Sequence, residues 1–301
     1  MKKNVFLLLT ILCSTSKLDA QQIVVASYNI RYENQSDSAA GNGWKQRCPV
    51  ITQLIRFHNF DIFGAQEVLK GQLNDMLNRL KGFAFIGVGR NDGVESGEFA
   101  PIFYKKDKFE LLQSGHFWLS EVEDKPIVGW DAALPRICTW GKFQFKENGK
   151  IFYFFNLHMD HMGVVSRLES SKLVLRKIKT MCTGVPVILT GDFNMEQTSD
   201  GYKTLVTSGV LEDSYEIAEV RYALNGTFND FNPNLNTNSR IDHIFVTKNF
   251  HVMRYGVLTD FYHSEFEGVT KEITSTLYSN EVVTRLPSDH YPVKVELMLM
   301  P

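Results

Sequence analysis

Val185-Pro186-Val187-Ile188-Leu189-Thr190-Gly191-Asp192-Phe193-Asn194 is an apolar run that stops abruptly in a glycine, a carboxylate and an amide. Such a short run, bounded by turn residues, reads as a buried strand over 185–190. Gly191 permits a tight backbone, and if the chain stays extended Asp192 and Asn194 project to the same side. A carboxylate beside an amide can hold a water while the amide steers a phosphate. Gly, Asp and Asn are also ordinary turn residues, so the segment alone supports a strand-end turn equally well.

The same pattern recurs along the chain. Ser27-Tyr28-Asn29-Ile30 closes a strand over 23–28, Gln66-Glu67-Val68 closes one over 61–66, and Asn156-Leu157-His158-Met159-Asp160 closes one over 151–157. Arg240-Ile241-Asp242-His243 opens a strand over 241–247, and Ser288-Asp289-His290 precedes the last one, Val293 to Leu299. Strand ends are where α/β architectures gather functional side chains from distant parts of the sequence. Carboxylates gathered there would repel one another without a cation among them. Oxygen ligands without a cysteine cluster favour a hard ion, magnesium first, with manganese or calcium as alternatives.

Further strands are expected over 83–88, 99–104, 109–119 and 137–145. Helices are expected over Trp44 to Phe57, over Lys70 to Leu80, and around the stripe Val164, Leu168, Leu175 and Ile178. The final strand alternates Val293, Val295, Leu297 and Leu299 with Lys294 and Glu296, which fits a sheet with one buried face. Residues 259–288 read as loop or a strand hairpin near the site. Strands and helices interleave irregularly, so packed sheets flanked by helices are expected.

Lys2 and Lys3, the apolar run Val5 to Leu12, and Ala20 before Gln21 form a signal-peptide pattern, with cleavage expected after Ala20. The run is too short to span a bilayer. Cys13 follows the bulky Leu12, which disfavours lipidation, and the alternative for the whole segment is a frayed arm. The remainder, 21–301, is expected to form one domain, exported to the periplasm or beyond. Without residues 1–20 it carries 29 basic and 33 acidic side chains, so no basic surplus announces a polyanionic partner. Cys48, Cys138 and Cys182 remain, an odd number without metal-ligand spacing, and read as small buried hydrophobes.

Asn29, Gln66-Glu67, His158, Gly191-Asp192-Phe193-Asn194, Asp242 and Ser288-Asp289-His290 stand in an order and spacing that resembles the endonuclease/exonuclease/phosphatase superfamily. The resemblance spans about residues 23 to 300 and implies a four-layer α/β sandwich of the DNase I type, with the site at one end. It also implies roles. Glu67, Asn29 and Asp289 would serve the metal. Asp192 would align or deprotonate the attacking water, and Asn194 would help hold the phosphate. Asp242 would fix the tautomer of His290. His158 would donate to the phosphate or leaving group, with Glu98 as its orienting partner.

Other residues carry open readings. Arg136 is either a phosphate clamp or a surface salt-bridge arginine. Asp160 and His161 read as a hydrogen-bonded turn, His243 as structural, and Trp118, Trp130 and Trp140 as packing. The function expected is metal-dependent hydrolysis of a phosphoester by activated water. Charge favours a small phosphoester or lipid headgroup, because long nucleic acids are gripped mainly through phosphate neutralisation. The alternatives are a secreted nuclease acting on DNA or RNA, and an inactive binding module. No protein partner can be inferred, and the mature chain has no transmembrane segment.

Overall fold

The computed structural model of the chain describes residues 21–265 and 282–300. The expected leader, residues 1–20, and much of the 259–288 stretch lie outside the described residues. From the N-terminal side come β1 (Gln21–Asn29), α1 (Gln35–Ala39), α2 (Trp44–Phe57), β2 (Ile62–Gln66), α3 (Lys70–Arg79), β3 (Phe83–Ile86) and β4 (Ile102–Lys105). Then follow β5 (Phe109–Trp118), β6 (Ile137–Phe145), β7 (Ile151–His158), α4 (Val164–Met181), β8 (Val187–Asp192), α5 (Asp200–Val206), β9 (Glu212–Asp213) and α6 (Ser214–Ile217). The chain continues through β10 (Val220–Tyr222), β11 (Asp242–Val246), β12 (Phe250–Val257), β13 (Tyr262–Glu265), β14 (Val282–Arg285) and β15 (Val293–Leu299).

One sheet has the order β10-β12-β15-β1-β2-β4-β3 and the other β5-β6-β7-β8-β11-β9; β13 and β14 pair as a separate antiparallel ribbon. Side-chain alternation along the central strands builds the layers. On β1, Ile23 and Val25 enter the core between the sheets, while Val24, Ala26 and Tyr28 pack with Trp44 and Ile51 of α2 and Leu73 of α3. On β7, Phe152 and Phe154 face the first sheet, and Tyr153, Phe155 and Leu157 meet Leu173, Val174 and Ile178 of α4. Helices therefore cover both outer faces of the sheet pair, as a four-layer α/β sandwich requires.

β12 and the helix α5 are not visible as periodic patterns in the sequence. The buried residues of β12, Phe250, Val252, Tyr255 and Val257, change their spacing where the register shifts between Val252 and Arg254. A bulge breaks the two-residue period that identifies a strand. β8 begins two residues later than the apolar run, because Pro186 has no N–H to donate, and extends through Asp192. Cys48, Cys138 and Cys182 are buried and unpaired.

Strand direction decides where the site forms. β1 and β2 run parallel, as do β7 and β8, with Asn29 opposite Gln66 and His158 opposite Asp192. β11 runs antiparallel to β8, so its first residue, Asp242, pairs with Asp192. β15 runs antiparallel to β1, which brings Ser288 to Asn29, where its hydroxyl donates to the Asn29 carbonyl at 2.7 Å. All the polar strand ends thus meet at one edge of the inter-sheet layer.

Just beneath that edge the layer turns polar. Gln66 Nε2 donates to Asn156 Oδ1 at 2.7 Å and to Ser27 Oγ at 3.2 Å. Asn156 Nδ2 donates to the carbonyls of Ala65 and Pro101, and Thr190 Oγ1 donates to Asn156 Oδ1 at 3.0 Å. Asn156 fits only because Gly64 opposite has no side chain: a Cβ there would lie 2.1 Å from Asn156 Oδ1. Gly64→Ala should therefore cost about 1–3 kcal/mol of folding stability as the sheets are forced apart. Equilibrium urea unfolding measures this, and an unchanged midpoint would show that the layer yields freely.

Candidate active site

Asp192 occupies the centre of the gathered strand ends. Its Oδ2 accepts from Asn29 Nδ2 at 3.0 Å and lies 3.6 Å from His158 Nε2 and 3.8 Å from His290 Nε2. Its Oδ1 accepts the Asn194 N–H at 2.9 Å. Asn29 Nδ2 also donates to Glu67 Oε1, so this one amide bridges the two carboxylates. Glu67 Oε2 accepts the Tyr32 N–H. His290 Nδ1 lies 2.8 Å from Asp242 Oδ2, the geometry of an acid–imidazole pair.

A pocket of about 400 Å³ opens over these groups. Glu67, Glu98, Arg136, His158, Asp192, Asn194, Asp289 and His290 line it, and Asn29 and Asp242 lie behind them as hydrogen-bond partners. Arg31, Glu67 and Asn194 on its wall all adopt left-handed backbone conformations, with φ of 58°, 60° and 49°. Non-glycine residues held there carry strain, which concentrates where side chains must be aimed.

Burial sets the protonation pattern. It raises Asp192, reinforced by the neighbouring Asp242 carboxylate, to about 7. Burial likewise raises Asp289 to about 6, against the favourable His290 ring. His290 is also buried, which disfavours its charge, yet Asp242 and Asp192 together hold its pKa well above the ordinary value. His158 moves the other way: burial, then Arg136, Arg90 and His290, keep it well below. Two histidines beside one carboxylate therefore sit in opposite protonation states, an arrangement suited to divided acid–base work.

Two expectations change. Glu98 is not principally the partner of His158: its two oxygens take Arg90 Nη1 and Nη2 at 2.7 and 2.8 Å and reach His158 Nδ1 only at 3.8 Å. Arg136 is not a surface arginine. It is buried, with Nε donating to Asp160 Oδ2 at 3.2 Å and Nη2 lying 2.9 Å from His161 Nδ1. Among the described residues its Nη1 has no hydrogen-bond partner, nor has Arg90 Nε.

Asp160 makes the expected turn through Met162 and Gly163 N–H groups, but His161 also reaches the pocket wall. His243 points away from the pocket, with Nε2 lying 3.1 Å from the Met195 carbonyl. Asn194 spends one amide hydrogen on the Met159 carbonyl. The sequence reading missed Arg31, Arg90 and Phe228, which also line the pocket. Arg31 had a signal, standing two residues beyond Asn29. Arg90 and Phe228 lie in turn-rich loops without one.

The endonuclease/exonuclease/phosphatase family model matches residues 26–290, and the chain belongs to that family. The two helix-flanked sheets are its DNase I-like fold. A family protein from Bacteroides thetaiotaomicron has 54% identity and a TM-score of 0.88, covering 93% of this chain and 99% of that one. The mannosyl-6-phosphatase Bt3783 of the same species has 55% identity and a TM-score of 0.86, covering 91% and 99%. Protein R895 of Acanthamoeba polyphaga mimivirus is 24% identical over 271 residues, 78% of this chain and 39% of that protein. The chain spans less than half the length of the curated relatives it matches.

Proposed function

We propose that this protein is an exported, metal-dependent phosphomonoesterase that removes the 6-phosphate of a mannosyl residue. One observation carries the reading: Arg31, Arg90 and Arg136 share a single pocket with the Asp192, His158 and His290 cluster. A monoester phosphate carries close to two negative charges at neutral pH, since its second pKa is about 6. Guanidinium groups match its oxygens geometrically. The 55% identity with the mannosyl-6-phosphatase supports the choice of sugar. The signal pattern at 1–20 supports export.

The donor set fits a hard cation. Beside the Asp192, Asp242 and His290 cluster, which moves protons, stand two further carboxylates, Glu67 and Asp289, whose like charges raise each other's cost and call for a cation between them. Glu67 and Asp289 flank the Arg31 guanidinium, at 4.0 and 3.4 Å. These carboxylates, with Asn29, would hold magnesium or manganese, which when bound offsets negative charge on the phosphoryl oxygens. Asp192, with its pKa near neutrality, accepts the proton of the attacking water. His290, held protonated beside Asp242, gives its proton to the departing sugar oxygen as the P–O bond breaks, while the neutral His158 ring donates a hydrogen bond to a phosphoryl oxygen.

A nuclease would need a track for further phosphates. Lys105 and Lys108, members of the tightest basic cluster in the sequence, are both committed to the buried Asp61, at 2.9 and 2.8 Å. The purified mature protein should release phosphate from mannose 6-phosphate, lose that activity in a chelator, and regain it with magnesium or manganese. Full activity of metal-stripped protein in chelator would remove the metal from the mechanism. Rapid plasmid degradation that falls steeply with salt would overturn the monoester reading.

A further inference from the structure

Beside the catalytic pocket lies a second groove of about 440 Å³, and the two share Asn194 in their walls. Its lining differs in kind. Val164 and Leu168 give it apolar surface, Glu196, Thr198 and Asp200 give it hydroxyl and carboxylate groups, and Arg167 adds one guanidinium. Val164 is the first residue of α4 and is 68% exposed, an apolar side chain left uncovered at the mouth of a polar site. The neighbouring Met162 and Val165 are also exposed.

The geometry points to this groove as a subsite for the uncharged saccharide that carries the phosphorylated mannosyl residue. This rests on the phosphatase reading above. Sugars present apolar C–H faces and a rim of hydroxyls, which suit aliphatic side chains beside carboxylate and hydroxyl acceptors. Charge decides against an anionic extension. The catalytic pocket sets three arginines among its carboxylates, whereas the adjoining groove carries the acids Glu196 and Asp200 against one base, Arg167, whose Nη1 already donates to the Asp160 carbonyl. A second phosphate placed next to the first would meet those carboxylates and be repelled. A substrate with one terminal phosphate and a neutral body has the complementary charge distribution.

Asn194 lies at the junction. Its left-handed backbone turns the chain from the catalytic strand β8 toward Met195 and Glu196, so the same bend shapes both sites. The groove is therefore fixed to the catalytic carboxylate by two residues of chain.

The test compares two substrates: mannose 6-phosphate, and a mannobiose phosphorylated at O6 of its non-reducing residue. The wild-type protein should favour the disaccharide by about tenfold in kcat/KM, the equivalent of one or two hydrogen bonds with partial burial. Val164→Trp, which fills the groove, and Glu196→Gln should erase that preference while leaving mannose 6-phosphate turnover within about twofold. Equal kcat/KM for the two substrates in the wild type overturns the subsite, as do equal losses on both in the variants; the phosphatase reading survives either result. Release of phosphate from neither ester overturns both.

Discussion

Asp192→Asn is expected to lower kcat by about 10³-fold or more, the combined effect of removing a base and a charge at the reacting centre. The change is small in volume, and the new carbonyl can still accept the Asn194 N–H that Asp192 accepts at 2.9 Å. What disappears is proton affinity. An amide cannot take a proton from water, and its NH₂ would oppose the Asn29 amide that now donates to the carboxylate. Stability should move the opposite way. A carboxyl whose folded pKa is raised, here to about 7, makes the folded protein less stable as pH climbs from the acid range through that value. The metal-free variant should therefore melt at or above the wild-type temperature at pH 8, with the gap closing near pH 4. Near-normal turnover in a correctly folded Asp192→Asn protein would falsify the assignment.

His290→Ala should slow the chemical step by about 10²–10⁴-fold, the range for a lost acid–base group. Asp242 Oδ2 lies 2.8 Å from that ring, so Asp242→Asn should reproduce part of the loss. The double variant decides whether the two residues act as one unit. If it is no slower than His290→Ala alone, the carboxylate works through the imidazole. Fully multiplicative losses, measured in single-turnover reactions, would mean that Asp242 acts independently.

Much of this architecture was legible in local sequence. Val293 to Leu299 alternates cleanly because one face of β15 is buried, and the run ending at Asp192 is apolar because β8 is covered on both sides. Each polar strand end was also visible where an apolar run stopped. β12 was hidden because its bulge shifts the alternation by one residue. The short helix α5 was hidden because its seven residues make only about two turns, too few for a helical period to show.

Local sequence carries residue type and period, and those were enough to establish strands, helices, buried faces and the chemical character of their ends. It carries no distances between segments remote along the chain. That Asp192 meets Asp242 follows from antiparallel pairing of β8 with β11, and that Asn29 meets Asp192 follows from the packing of two separate sheets. The partners of Glu98 and Arg136 were settled in the same way. Arg90 arrives on a loop with no periodic pattern and takes both Glu98 oxygens, while Arg136 is buried against Asp160 and His161. The raised pKa of Asp192 belongs to the assembled fold alone, because it comes from excluded water and a neighbouring carboxylate fifty residues further along the chain.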